Sequence, residues 1–303
     1  MNSNRLNKTT ASYTIFTLLW TALLITLPIN STASVSPPRI KIEAKPRDKM
    51  SFNIEVKNKH DSPRSYKVSY SYYIQDQDGY QKEVKVESDS QTGPWNWIKL
   101  DSGQNFKIAS KENLSINGIL NIPSRNSLGF HNVLLTVTEF TPRKKAGVTL
   151  NYASGSLIEL TVAGSKKRPK TALLNPVIKM NKESGVNIVH LDFDNQSPYK
   201  GRLFLEMHLR HNKRLIAKIP LLTEQSQKSE QPYSSIFPKN LVKLTGEIDK
   251  TLEPGDYEIR ITGQFNGVRL RTFNQTLTID ESGQSVIEDN SDKPLSTLLK
   301  PQQ

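Results

Sequence analysis

The 303-residue chain contains no cysteine and only five histidines. Without cysteine there can be no disulfide framework, thiolate nucleophile, cysteine-ligated zinc or iron–sulfur cluster. None of the histidines has a metal-ligand spacing on one strand face, and the motifs of zinc proteases, serine hydrolases and phosphate-binding loops are missing from the sequence. We therefore expect a protein that is not an enzyme and that needs no cofactor or metal.

Acidic residues are few relative to basic ones, with 29 Asp and Glu against 41 Lys and Arg and a net charge of +12. The basic residues are scattered, and aromatic residues are not interleaved with them as in nucleic-acid-binding motifs. A basic exported protein attracts acidic partners over a range that salt shortens. The charge favours an acidic envelope protein or an anionic cell-wall polymer as partner and argues against nucleic acid; a merely solvated basic surface is the alternative.

No long apolar run follows residue 28, but one precedes it. Residues 1–12 contain Arg5 and Lys8 and no acid, residues 13–28 are largely apolar, and small residues follow up to Ala33. This is the order of a secretory signal peptide, and the run is shorter than the ~20 apolar residues of a spanning helix. We predict a signal peptide at 1–33, with an uncleaved anchor as the alternative. The mature chain is then exported to the periplasm or cell surface and has no stable membrane span.

Apolar and polar residues alternate through most of the chain after Pro38. In residues 51–56, for example, Phe52, Ile54 and Val56 fall on one face, which is the period of a half-buried strand. Clusters of Gly, Asn, Asp and Ser punctuate these runs as turns do. The pattern predicts an all-β protein. A second run places five residues on one face: Tyr66, Val68, Tyr70, Tyr72 and Ile74.

Two blocks of strands repeat the same order of features. Each block opens on a proline-flanked strand, continues to a strand that ends in asparagine (Asn58 and Asn195), and closes on a strand preceded by glycine. This repetition predicts two tandem immunoglobulin-like β-sandwich domains. The predicted boundaries are 35–163 for the first domain, 164–173 for a basic linker, 174–280 for the second domain and 281–303 for a flexible tail.

The first block, from the strand ending VKN through WNWIKLDSGQNFKI to the close LGFHNVLLTV, resembles the immunoglobulin-like modules of bacterial envelope proteins. Two families share this outline over most of residues 37–280: the periplasmic chaperones of chaperone–usher pili, and the WxL-interacting surface proteins. The first resemblance implies a chaperone in the assembly of pilus or surface subunits. The second implies a cell-surface adhesion scaffold, although the chain ends in KPLSTLLKPQQ where WxL-interacting proteins carry a membrane helix.

The resemblance to pilus chaperones also implies a pair of cations that hold the terminal carboxylate of a subunit. One belongs to the first strand and the other to the last strands of the first domain. By position, the candidates are Arg39 or Lys41 for the first cation and Lys144 or Lys145 for the second.

The segment from Thr141 to Gly164 passes through a cationic loop into an apolar strand. The last strand of such a sandwich lies near an edge, and an unpaired edge accepts a strand from another chain. We therefore predict that a pilus or envelope protein binds by strand addition at 155–163; the alternative is that the apolar residues are simply core. The predicted partner-binding residues are Arg39, Lys41, Arg143, Lys144, Lys145, Leu157, Ile158, Leu160 and Val162.

Trp95 and Trp97 are two positions apart in the segment GPWNWIKL. We interpret at least one of them as packed in the core or between the sheets, which is ordinary in sandwiches of this kind. A ring that is left exposed could stack on a sugar ring or anchor an interface.

Overall fold

The computed structural model describes residues 33–87, 90, 92–140, 152–164, 170–180, 187–280 and 285–287. Strands make up most of these residues, and the described helices are a short 3-10 helix at Pro94–Trp97 and a five-residue α-helix at Glu224–Lys228, which confirms the predicted all-β class. Within the same ranges, no helix has the length and hydropathy needed to cross a bilayer.

Ten strands form two packed sheets in the described part of domain 1. One sheet has the order β1-β3-β8-β6, and the other has the order β2-β10-β9-β4-β5, with β7 also pairing with β4. Every pair is antiparallel except β2 with β10. The strands are β1 (Ala33–Ser36), β2 (Arg39–Ala44), β3 (Lys49–Asn58), β4 (Arg64–Gln75), β5 (Gln81–Lys85), β6 (Ile98–Leu100), β7 (Asn105–Ile108), β8 (Asn113–Asn121), β9 (Gly129–Phe140) and β10 (Ala153–Val162).

The core of domain 1 lies between these two sheets and follows the predicted alternation. Phe52, Ile54 and Val56 of β3 are buried. The prediction for β4 holds only in part, because the strand leaves the core at its end and Ile74 is 45% exposed. The buried residues are completed by Val35, Ile42, Ala44, Tyr66, Val68, Leu100, Ile108, Ile116, Leu120, Ile122, Leu135, Val137, Ile158, Leu160 and Val162.

Domain 2 is a second sandwich with its own core. One sheet has the order β11-β12-β16, and the other has the order β14-β13-β17-β19-β20, with β15 beside β13 and β18 beside β17. The elements are β11 (Thr171–Met180), β12 (Asn187–Asn195), β13 (Gly201–His211), β14 (Arg214–Pro220), α1 (Glu224–Lys228), β15 (Ser234–Ile236), β16 (Asn240–Ile248), β17 (Gly255–Phe265), β18 (Val268–Arg269), β19 (Phe273–Ile279) and β20 (Ser285–Ile287).

The strands differ from the predicted boundaries at both ends of domain 2. β11 begins at Thr171, inside the predicted linker, and β20 lies inside the predicted tail. β20 pairs with β19 through Leu277 to Ile279 and so lengthens the sheet by one strand. Residues 285–287 are therefore part of the fold. Their pairing with β19 satisfies backbone hydrogen-bonding groups, and the polar sequence of this segment gave no reason to expect a strand here.

Asn58 and Asn195 are the strand-ending asparagines of the two repeated blocks, and each makes equivalent hydrogen bonds to the main chain of its domain. Both are fully buried. The carboxamide of Asn58 donates to the carbonyl oxygens of Ser62 and Ala109 at 3.0 and 2.8 Å, and its Oδ1 accepts from the N–H of His60. Each asparagine thus ties the turn after its strand to a neighbouring segment, which explains the repeated sequence pattern.

Asn195 makes the corresponding bonds in domain 2. Its Nδ2 donates to the carbonyl oxygens of Tyr199 and Phe237, at 2.9 and 2.8 Å. Its Oδ1 accepts from the N–H of Ser197 at 3.2 Å. Because Tyr199 and Phe237 both lie at the domain junction, this asparagine also shapes the face that meets domain 1.

The two domains are joined through the end of β4 and the turn after it. The carboxamide of Gln75 donates to the carbonyl oxygen of Ser235 at 2.6 Å and accepts from the N–H of Phe237 at 2.8 Å. The N–H of Lys243 donates to the carbonyl oxygen of Gln77 at 2.7 Å. Gln75 therefore binds the main chain of domain 2 as a peptide group of a neighbouring strand would.

Candidate functional site at the edge of the first domain

Strand β10 is paired on one side along its whole length and on the other side along only part of it. β9 pairs with all ten residues from Ala153 to Val162. β2 pairs in parallel with Leu157 to Val162 on the opposite side. The prediction that the edge is free over 155–163 is therefore wrong for residues 157–162, because the chain's own β2 occupies that edge.

The side chains of β10 show the same correction. Ile158, Leu160 and Val162 are 1%, 2% and 0% exposed and belong to the core of domain 1, so the alternative interpretation of these three as core is confirmed. Leu157 points the other way and is half-buried. A partner can reach the three core residues only if the sandwich opens.

The remaining edge is the first four residues of β10, Ala153–Ser156. On the β2 side they have no ladder partner in the part of the chain that the structure describes, because the chain turns away at Pro37 and Pro38 into β1 of the other sheet. Proline has no N–H and cannot donate to a ladder. Two serine hydroxyls of β10 bridge the gap: Ser154 Oγ accepts from the N–H of Val35 at 3.2 Å, and Ser156 Oγ donates to the carbonyl oxygen of Pro37 at 2.7 Å.

The direction of the backbone groups along this edge follows from the register. The N–H of Leu157 donates to the carbonyl oxygen of Pro38 at 2.9 Å. The main-chain N–H and C=O groups of the odd-numbered residues of β10 therefore point toward β2. Alternate residues of a strand point their N–H and C=O to the same side. The main-chain groups of Ala153 and Gly155 therefore point away from β9, toward the open edge.

Three cations surround one carboxylate where β2, β10 and domain 2 meet. Arg39 Nε lies 3.9 Å from Glu159 Oε2, and Lys200 Nζ lies 2.8 Å from Glu159 Oε1. Lys41 is the register partner of Glu159 on β2. Burial alone would raise the pKa of Glu159, but the hydrogen bond from Lys200 and the positive charges of Lys200, Arg39 and Lys41 hold it below its ordinary value.

The ion pairs of Glu159 can be compared with the pair of cations that the resemblance to pilus chaperones implied, which would hold the terminal carboxylate of a subunit. Arg39 does not stand beside an open position, because it contacts the chain's own Glu159. The basic residues at 143–145 lie outside the described residues. That Arg39, Lys41 and residues 143–145 contact a partner remains a prediction.

The comparisons with known proteins find a likeness of structure only. No family model and no curated protein matches the chain. Among solved structures, a chaperone–tip adhesin complex of CFA/I fimbriae is 12% identical over 80% of this chain and 97% of that chain, with a TM-score of 0.43. That structure is of a pilus chaperone complex, and pilus chaperones are one of the two families that the sequence resembles. Two further neighbours are the class 5 fimbriae chaperone CfaA (11% identity, 80% and 98% coverage, TM-score 0.41) and the E. coli chaperone DraB (12% identity, 80% and 95% coverage, TM-score 0.37).

The prediction that at least one of the two tryptophans is packed is confirmed for Trp97, and both rings are half-buried. Trp97 packs against the core of domain 1 and meets the ring of His131 edge-on, with 4.8 Å between centroids. Trp95 stacks on Tyr72, with 5.5 Å between centroids, and lines a cleft next to domain 2. Across the described ranges, no group of three or more His, Asp or Glu side chains is placed to hold a metal ion.

Proposed function

We propose that this protein is an exported, non-enzymatic binding protein that acts like a chaperone in the assembly of pilus or surface subunits. It holds its partner by strand addition along Ala153–Ser156. The observation that supports this proposal is the half-open edge of β10, where β9 supplies one ladder and β2 stops short of the other.

An open strand edge has a specific chemical consequence. Within the described residues, the N–H and C=O groups of Ala153 and Gly155 have no ladder partner on the β2 side. They can form main-chain hydrogen bonds with an extended segment of a partner, and such bonds give affinity with little dependence on partner sequence. Two exposed aromatic residues, Phe140 and Tyr152, flank the start of the edge and are 45% and 42% exposed. They offer apolar surface to the side chains of an added strand.

The rest of the β10 edge is protected against the same kind of pairing. β2 covers it from Leu157 onward, and the exposed cations Arg39 and Lys41 lie along β2. Charged side chains on an outer strand discourage unspecific edge-to-edge association. A partner strand is thereby limited to the four residues before Leu157, and the excess positive charge of the chain favours an acidic partner.

Replacing Ala153 with proline tests the strand-addition proposal. Proline removes the N–H that points to the open edge, but Ala153 is the first residue of β10, a position at which proline is tolerated. Loss of one main-chain hydrogen bond of ~1.4 kcal/mol should weaken partner binding about tenfold. The measurement is co-purification and titration with each subunit encoded beside the gene, with the thermal midpoint of the free protein recorded in parallel.

Ala153→Ser is the matched control, because it keeps the N–H and should bind like the parent protein. If Ala153→Pro keeps its thermal midpoint and also binds like Ala153→Ser, the partner does not add a strand here. An adhesion scaffold, the other function considered from the sequence, would give that result and would instead respond to substitutions at Trp95 or in domain 2.

A further inference from the structure

The outer face of the sheet that contains β10 carries cations without acids over four consecutive rows of the ladder. A row is a set of residues that lie opposite one another in paired strands and therefore share one face of the sheet. Lys107 lies in the first of these rows, Lys67 in the second, and Lys85 and Arg39 lie in the fourth. As far as the structure describes their members, the four rows contain no Asp or Glu.

The lysines of these rows have their charges available to a ligand. Lys67, Lys85 and Lys107 are all exposed, and none of the three forms an ion pair with a residue that the structure describes. Glu83 and Glu159 lie one row further along, and Glu159 is already bonded to Lys200 at 2.8 Å. Glu87 follows the end of β5, so the acids on this side lie at the margin of the rows and not among them.

The middle of the face is built from small side chains with hydroxyl groups. Ser69, Thr136 and Gly155 form the third row, in which Thr136 pairs with the other two. A Cβ at position 155 would lie 3.6 Å from Thr136 Oγ1, so the glycine leaves this hydroxyl uncovered. Within the described residues, the hydroxyls of Ser69 and Thr136 make no hydrogen bond. Both can therefore bond to a ligand that lies on the face.

A further hydroxyl on the same side has unmet hydrogen-bonding capacity. Ser71, in the fourth row, is 3% exposed, and its Oγ has no partner among the described residues. Buried polar groups without a partner are uncommon in folded proteins, and each one costs free energy until it is satisfied. Its register neighbour Lys85 is exposed on a flexible side chain, so the group nearest this hydroxyl is a cation that an acid attracts.

These features distinguish between two kinds of acidic ligand. A protein interface gains most of its affinity from aromatic or Arg anchors near its centre, and the central row of this face has none. An acidic sugar chain carries hydroxyls for Ser69 and Thr136 as well as carboxylates for the lysines. The four rows extend over ~20 Å, since alternate residues of a strand are ~7 Å apart, which is room for several sugar rings.

We infer that this outer face binds an acidic polysaccharide. Lys67, Lys85 and Lys107 attract its carboxylates, and Ser69 and Thr136 form hydrogen bonds with its hydroxyls. The binding surface is a face of the sheet, whereas Ala153–Ser156 is an edge of it, so the inference does not depend on strand addition. Because the cations are exposed, salt should weaken the binding.

The test is isothermal titration of the full chain with oligogalacturonate, using the methyl-esterified oligomer as a ligand that has the same sugars but no charge. The parent protein should bind the acid form and show little heat with the ester. The double variant Lys67→Gln with Lys107→Gln should weaken binding about tenfold, since each exposed ion pair contributes up to a factor of about five. Thr136→Val keeps the shape of the side chain and removes its hydroxyl, and it should weaken binding about fivefold.

The matched control is the double variant Lys49→Gln with Lys57→Gln. Both lysines are exposed on β3 in the opposite sheet, so this variant loses the same net charge and should bind like the parent protein. Ala153→Pro changes the edge and removes no cation, so it should also bind like the parent. This result separates failure of the inference from failure of the proposed function. The thermal midpoint of each variant shows that it is folded.

Four results would overturn the inference. The first is equal binding of the acid and the ester, and the second is an equal loss of affinity in the two double-lysine variants. The third is unchanged binding by a folded Thr136→Val variant, because the hydroxyl would then have no contact with the sugar. The fourth is binding of poly-L-glutamate as tight as that of oligogalacturonate, which would indicate an acidic protein as the ligand of this face.

Discussion

Replacing Ile158 with lysine should unfold domain 1, whereas replacing Leu157 with glutamine should leave it folded. Ile158 is 1% exposed between the two sheets, and a lysine there would place an ammonium group in an apolar core. Burying an unpaired charge costs more than ~4 kcal/mol, which is a large part of the 5–15 kcal/mol that holds a typical domain together. Leu157 is half-buried on the outer face, where an uncharged polar side chain keeps its contact with water.

Urea denaturation followed by far-ultraviolet circular dichroism and tryptophan fluorescence provides the measurement. The Leu157→Gln variant should keep the midpoint of the parent protein within the small range of a surface change. The Ile158→Lys variant should lose the transition of domain 1. A folded Ile158→Lys variant that has lost only its partner would instead place Ile158 in the binding surface, as the sequence first predicted.

Replacing Asn58 with alanine should destabilise domain 1 by about 3 kcal/mol. The substitution removes the Asn58 donor from the carbonyl oxygen of the buried Ile108, and it leaves the N–H of His60 without its acceptor on Asn58. Asn53 on the same strand is the matched control, because its carboxamide is exposed and bonds mainly to other exposed side chains. Removing that side chain should cost well under ~1 kcal/mol.

Guanidinium denaturation of the two variants, with the slope held common, gives the two free energies of unfolding. The Asn195→Ala variant should show the same large loss in domain 2, since Asn195 is equally buried and equally bonded. Equal effects at Asn53 and Asn58 would mean that the buried asparagine does not hold the turn after β3, and that the repeated strand ending has another cause.

Local sequence patterns predicted the parts of the fold that local chemistry decides. The alternation at Phe52, Ile54 and Val56 predicted a strand with one face on the core, and all three side chains are buried. The two asparagines, Asn58 and Asn195, were visible as a repeated strand ending, and the structure shows the buried bonds behind that repetition. The alternation depends on residues near one another in the chain, whereas the bonds of the two asparagines reach Ala109 and Phe237, which lie 51 and 42 residues away.

Pairings between distant segments could not be predicted in the same way. β2 and β10 are more than a hundred residues apart, and nothing in either segment states that they pair in parallel. The core positions of Ile158 and Leu160 are consistent with a free edge or a covered one, since alternation describes the faces of a strand and not its edges. The open edge was therefore predicted too long, and its true extent is set by the turn at Pro37 and Pro38.

The domain junction was almost invisible in the sequence. Gln75 and Lys200 are ordinary polar residues in the sequence, and they became informative only when the fold placed them between the domains. One signal was available: the sequence predicted that at least one of Trp95 and Trp97 is packed, and Trp97 does pack against the core of domain 1.

Amide hydrogen exchange along β10 tests the central claim most directly. The N–H groups of Glu159 and Thr161 point to β2 and take part in that ladder, whereas those of Ala153 and Gly155 point to the edge that β2 leaves open. In the free protein, Glu159 and Thr161 should exchange slowly and Ala153 and Gly155 quickly. A bound subunit should then slow the second pair alone. Slow exchange at all four amides in the free protein, or no slowing at Ala153 and Gly155 on binding, would contradict the account.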